Sequence, residues 1–265
     1  MLKRILISLL AAAALAGLAA WRKALTRGGL LLAAALAVVI GVCGGVSGFL
    51  ALAATFLFTI AAGRISGAKR ERLEKALHAK TGARDAVQIF CNVFVGALAL
   101  LLYRLTSYRG FLWAYGGAMA ASLADSTASE LGILSRRGPR DILTRKPVQP
   151  GLSGGVTALG FGMSLLGAAL LALVLALPKD GPGFGSFLDV TAAGFFAAVC
   201  DSALGSGMQV KYRCGICGAL TEKPLHCGAR GTPEQGLRFM TNDTVNFCNN
   251  LLGALAALGL YAIHH

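Results

Sequence analysis

Asp125, Ser126, Ser129 and Glu130 fall in one stretch, ASLADSTASELG (residues 121–132), flanked by apolar sequence. On a helix, Asp125 with Ser129 and Ser126 with Glu130 are i,i+4 pairs, so two carboxylates and two hydroxyls gather on about one face. A second polar group is CDSALGSGMQ (200–209), where Asp201 and Gln209 flank two glycines. A third is TNDTVNFCNN (241–250), in which Asn242, Asp243, Asn246, Asn249 and Asn250 recur at helical spacings and form a polar stripe. Gln88 and Asn92 make one more i,i+4 pair. Carboxylates in apolar surroundings are costly, about 2.5–3.5 kcal/mol each on insertion scales, so a function is expected of them. Carboxylate and amide oxygens are hard ligands of the kind Mg²⁺ takes beside substrate phosphates. Asp125, Glu130, Asp201 and Asp243 therefore read as a Mg²⁺ site. Gln88, Asn92, Ser126, Ser129, Gln209, Asn242 and Asn246 read as polar contacts to substrate or nucleotide; the Asn and Ser residues taken alone would equally serve to hydrogen-bond helices together.

The matching phosphate side would come from RRGPRDILTRKPVQPGLSGG (136–155). Arg136, Arg137, Arg140, Arg145 and Lys146 precede Gly151, Ser153, Gly154 and Gly155, and an apolar run follows at once. A glycine turn opening a helix presents backbone N–H groups to an anion, aided by the helix dipole. Lys146 is the last of these cations before the turn. The spacing is not that of a Walker A loop. Separately, KYRCGICGALTEKPLHCG (211–228) offers Cys214, Cys217, His226 and Cys227. Three readings of this group stay open: structural zinc, a reduced thiol cluster, or a redox pair.

Such groups need elements to hold them, and composition names the kind. The chain is 55% hydrophobic and 14% charged with 35 glycines, and its mean hydropathy is +0.66. Soluble domains carry about 25% charged residues. The expected fold is all-α: one integral membrane domain, a polytopic bundle of about seven to eight transmembrane helices. Apolar runs fall near residues 2–20, 29–43, 47–62, 87–103, 110–124, 152–177, 188–205 and 244–262. The run 29–62 suits a tight hairpin turning at GVCGGVSG (41–48). A net charge of +13 without aromatic-interleaved basic motifs argues against nucleic acid. The basic residues instead concentrate in loops near 64–86, 125–150 and 206–243, which the positive-inside rule makes cytoplasmic. The active face would then be cytoplasmic, in what reads as a bacterial inner membrane. The first apolar segment is expected to be a retained span with its amino end outside, a cleaved signal segment being the alternative. KRERLEKALHAK (69–80) reads as an amphipathic surface helix or a plain solvated connector.

The ordered series ADSTASELG, PVQPGLSGGV, DSALGSGMQVKYRCGICG, HCG and NDTVNF resembles the polytopic family that contains the phytyl-phosphate kinase of tocopherol synthesis and transmembrane protein nineteen. The likeness runs across nearly all the chain. It is also distantly similar to dolichol and phytol kinases, in which an acidic residue, a lysine and a glycine–serine turn follow in order; Asp125, Lys146, Gly151 and Ser153 hold the comparable places. Family members often read GTSGGVS where this chain has GLSGGVT, with Leu152 in place of a hydroxyl. DSALGSGMQ likewise follows the usual DSLLGATLQ only loosely. The resemblance implies phosphoryl transfer from a nucleoside triphosphate, with CTP favoured, to a membrane isoprenyl monophosphate. A CDP-lipid-forming nucleotidyltransferase would use the same parts, and a transporter or scaffold is the non-enzymatic alternative. Chain length of the lipid, zinc occupancy and oligomeric state are not written in the sequence.

Overall fold

A computed structural model describes residues 2–77 and 83–265, with side chains over 5–67 and 83–265. The stretch 69–80 thus lies outside the residues whose side chains are described. The described residues form seven α-helices, joined by turns and short strands: α1 (Leu2–Trp21), α2 (Arg27–Leu77), α3 (Ala86–Thr106), α4 (Gly110–Gly132), α5 (Ala158–Ala176), α6 (Phe187–Gly207) and α7 (Asn242–His264). The all-α polytopic architecture expected from composition is the one observed. Among the described residues, five helices are long and apolar enough to cross a membrane: Arg27–Gly67, Ala86–Thr106, Ala158–Ala176, Phe184–Gly207 and Asn242–His264.

The longest of these is two arms. Straight, its 41 residues would run about 60 Å, twice the hydrocarbon thickness. At Gly45 the backbone leaves helical geometry (φ 66°, ψ −146°), a region open to glycine alone. A side chain on Gly48 would meet the Ile40 carbonyl at 3.2 Å, whereas eight residues of continuous helix would separate those positions by about 12 Å. The chain folds back here, as expected for residues 41–48. Asp180, from the α5–α6 connection, clasps the turn by accepting from the N–H groups of Val46 (2.7 Å) and Ser47 (3.1 Å). It thereby supplies the carboxylate that a helix N-terminus favours.

The centre of the bundle is α4, which packs against α2, α3, α5, α6 and α7. Gly116, Gly117, Ala118, Ala120, Ala121 and Ala124 on it are buried, and small residues let backbones approach closely. A side chain on Gly117 would strike the Gly253 backbone of α7, and one on Gly194 of α6 would lie 2.5 Å from Ala120 Cβ. Two buried asparagines lock the same helices, Asn249 Nδ2 donating to Ala121 O and Asn250 Nδ2 to Cys91 O, each at 3.2 Å. For these two the helix-bridging role of the α7 stripe holds.

Two boundaries differ from expectation. The loop expected from residue 125 starts only after Gly132, because Thr127 and Ser129 return their hydroxyls to α4's own carbonyls and the polar segment stays helical. The span expected from residue 152 starts at Ala158, where Thr157 caps the Gly160 N–H at 3.0 Å. The residues before it form a two-strand clip, β1 (Arg140–Asp141) with β2 (Gly155–Val156).

The helices alternate in direction. The connections following α1, α4 and α6, with Arg84 and Asp85, share one face, and the Gly45 turn, residues 107–109, Asp180 and His264 mark the other. On that second face Asp189 accepts from Trp113 Nε1 (3.3 Å) and contacts His264 Nδ1 (3.2 Å).

Candidate functional site

The ends of α3, α4, α5, α6 and α7 meet at the first face around a polar cavity of about 810 Å³. Asp85 caps α3 by accepting from the Gln88 N–H (3.0 Å), and Gln88 Oε1 accepts from the Asp85 N–H (3.2 Å), a reciprocal capping box. This fixes Gln88 and, a turn on, Asn92, whose Oδ1 accepts from Ser122 of α4 (3.2 Å). Both line the cavity. From α4 come Asp125, Ser126, Ser129 and Glu130; from α6, Asp201. Asn242 and Asn246 enter from α7, and Gly151, Ser153, Gly154 and Gly155 from the clip. Of the expected acids and amides, Asp125, Glu130, Asp201, Gln88, Asn92, Asn242 and Asn246 are therefore brought together with the glycine turn.

Three expected residues are not among those lining it. Lys146 is exposed on the outer loop of the clip, because its carbonyl accepts from Asp141 and the chain turns outward. Gln209 is 1% exposed and packed beneath Gly236, away from the cavity. Asp243 occupies the first turn of α7 beside, not within, the lining. The four carboxylates also do not form one tight ligand set. Among the described residues, the one group of three or more acidic, Cys or His side chains with ligand atoms gathered within 4.8 Å is Cys214, Cys217, His226 and Cys227. Glu130 turns toward α2 and accepts from Ser66 Oγ (3.2 Å). Asp201 instead lies within electrostatic range of Asp125 and Glu222, and all three line the cavity. Asp201 Oδ2 and Ser164 Oγ are buried and meet no hydrogen-bond partner among the described residues, and both residues line the cavity.

The glycine turn differs from a free anion nest. It is packed on the end of α6: Gly154 has φ +87°, and a side chain there would lie 2.5 Å from Ser206 Cα. Ser153 N–H already donates to an anion, Glu222 Oε1, at 2.6 Å. Asp141 anchors the clip by accepting from Ser206 Oγ (2.6 Å) and from the N–H groups of Leu143 and Thr144 (3.1 and 2.7 Å). Burial alone would raise its carboxyl, but these hydrogen bonds win and hold it below the usual carboxylate range.

Cationic partners come from Arg84, Arg136 and Arg137. Arg84 is set by backbone pairing: its carbonyl accepts from Thr26 N–H (3.0 Å) and its N–H donates to Ala24 O (2.8 Å). Lys211, 2% exposed, lies near Glu222 and Asp141; burial pulls its ammonium below the usual value despite them. Glu222, Ser164 and Lys211 were not singled out by the sequence: Glu222 and Lys211 sit in a polar connection that gives no sign of burial, and Ser164 is a single hydroxyl inside an apolar helix.

Beside the polar cavity is an apolar crevice of about 150 Å³ between α1, both arms of α2, and α3, walled by residues such as Leu15, Phe56 and Ile60. Arg84 and Asn92 line both spaces, so the two adjoin.

A membrane-embedded bundle with a charged cavity at one face is the class defined by this geometry. The chain belongs to the integral membrane protein family DUF92, whose profile matches residues 10–254. It is 29% identical to an uncharacterized membrane protein of Synechocystis sp. over 247 residues, covering 91% of this chain and 84% of that one. It is 25% identical over 252 residues to Protein PGR of Arabidopsis thaliana, covering 79% and 84% respectively. An uncharacterized membrane protein of Methanocaldococcus jannaschii is 33% identical over 129 residues, 45% of this chain and 51% of the relative. No solved structure matches.

Proposed function

We propose that the protein is a CTP-dependent kinase of isoprenyl monophosphates, phytyl phosphate among them, working at the cytoplasmic face of a bacterial inner membrane. The observation that carries this reading is the junction of a charged cavity with an apolar crevice at Arg84 and Asn92. An amphiphile with an anionic head would lie across that junction, its tail among α1, α2 and α3. Soluble phosphates would have no use for the crevice. The resemblance to phytyl-phosphate kinase, set out from the motif series, supplies the reaction class. The concentration of basic loops on the cavity face supports the sidedness.

In this reading Arg84, Arg136 and Arg137 neutralise the two sets of phosphates. Hard oxygens on Asp125 and Asp201, one of them without a protein partner, fit a Mg²⁺ ion held by one or two carboxylates and the nucleotide. A metal ion held there would supply charge neutralisation at the nucleotide phosphates. The lipid phosphate oxygen forms a bond to the γ-phosphorus, the bond from that phosphorus to the β-phosphate oxygen breaks, and CDP leaves. The acceptor has a second pKa of about 6 and is already ionised near neutrality, so the chain need only align the two groups and exclude water.

Purified protein in detergent, given CTP, Mg²⁺ and prenyl monophosphates, is expected to yield the diphosphate and CDP. Asp125→Asn and Asp201→Asn should each lower kcat at least about a hundredfold, while Lys146→Ala should stay within about threefold. Full activity of Asp201→Asn would refute the proposed role. CDP-lipid with pyrophosphate as products would establish a nucleotidyltransferase instead, and nucleotide-independent flux in sealed vesicles a transporter.

A further inference from the structure

Between α6 and α7 the chain makes an excursion built from very little. Strand β3 (Lys211–Arg213) pairs with β4 (Leu220–Thr221) and β7 (Thr232–Gln235), and β5 (Leu225–His226) pairs with β6 (Ala229–Arg230). Apart from β3 and β7 these strands are two residues long, and Ile216 and Leu225 are 65% and 59% exposed. Such a segment has almost no apolar core and requires another staple. Its four soft ligands are placed to provide one. Cys214 and Cys217 stand on a turn closed by hydrogen bonds from Cys214 N–H to Ala219 O (3.0 Å) and Gly218 N–H to Cys214 O (2.9 Å). His226 and Cys227 are adjacent in sequence, which would ordinarily aim them apart; a left-handed conformation at Cys227 (φ 51°) brings them to one point. The sulfurs of Cys217 and Cys227 each lie 3.4 Å from His226 Nδ1. The N-to-S edge of a tetrahedral zinc site, with Zn–S near 2.3 Å and Zn–N near 2.0 Å, is about 3.5 Å.

The segment between the two ligand pairs, residues 218–225, carries Glu222, which reaches the cavity and accepts from Ser153 N–H at 2.6 Å. We propose that Cys214, Cys217, His226 and Cys227 bind one zinc ion, and that the ion sets the 218–225 loop so that Glu222 holds the glycine turn against α6. Glu222 is a positioning residue: it braces Ser153 and Gly154 beside Asp201. The soft site and the hard-oxygen cavity are thereby joined through one carboxylate, and metal loss outside the membrane loosens a wall of the cavity. None of this depends on which substrate the cavity takes.

Full-length protein purified in detergent should contain about one zinc per chain by plasma mass spectrometry. Cobalt exchanged into the site should show tetrahedral thiolate absorption, and Cys214→Ser should lose at least about nine-tenths of the metal. On wild-type protein, a zinc-selective chelator should raise the rate of cleavage after Glu222 by a glutamate-specific protease at least roughly tenfold, with helical circular dichroism unchanged. This second measurement does not rely on a variant that folds. Absence of zinc, or a disulfide among these cysteines in the purified chain, would overturn the metal site. Zinc removed with no change in cleavage after Glu222 would overturn its role in placing the loop.

Discussion

At the residue scale, charge is used by arrangement more than by abundance. Asp141 is held below the ordinary carboxylate range by donors from Ser206, Leu143 and Thr144, which outweigh its burial. The linkage sign follows: its contribution to stability is complete above the unfolded value near 3.9 and is lost as pH falls through the lower folded value. Asp141→Asn should lower stability at neutral pH by about 1.5–3 kcal/mol, the range for hydrogen bonds to a charged group. The deficit should shrink in acid, as followed by thermal melts in detergent; an equal deficit at every pH would contradict the assignment. Asp125, Glu130 and Asp201 were legible because carboxylates are conspicuous in apolar sequence, whereas Glu222, in a polar connection, was not. Lys146 was misread because a lysine before a glycine run has the same local pattern whether it points in or out. Arg84 was known only as loop charge, since the backbone pairing with residues 24–26 that places it leaves no local trace.

At the element scale, the hairpin of α2 and the enclosure of α4 decide where the site stands. The hairpin was readable from length and glycines together: the run was too long for one span, and its centre was rich in the residue that turns. Gly45→Ala should therefore be severe. A side chain at φ 66°, ψ −146° costs on the order of 1–3 kcal/mol, and the expected outcome is a fall in melting temperature with reduced yield of folded protein. Wild-type stability would show that the turn does not need glycine. The prominence of α4 was less readable. It is absent from the helices apolar enough to qualify as spans, yet it is the most enclosed. Neighbouring helices cover most of it, so small or polar residues can fill its faces without the hydropathy that a lipid-facing helix needs. The start of α5 was misplaced for a different reason: Gly151–Val156 is apolar enough to continue a span, but its strand pairing with Arg140–Asp141 uses the backbone otherwise.

At the scale of the whole molecule, alternating helices carry residues distant in sequence to a single face. That topology was legible through loop charge, whereas the neighbouring crevice was not, because its walls come from helices whose sequences look uniformly apolar. One feature of the wall governs what the crevice can do. α1 packs chiefly on α2, where Gly41 receives Ser8, and it contributes Ala12, Leu15, Ala16 and Ala19 to the apolar space. Among the described residues it contributes none to the charged cavity. Deleting residues 2–21 should leave kcat for a water-soluble short-chain monophosphate within about threefold while raising KM for a long-chain one at least about tenfold; equal effects on both would argue that the tail lies elsewhere. Discrimination by tail length would then reside in the most loosely attached rod of the bundle, free to drift during evolution while the charged centre stays as it is.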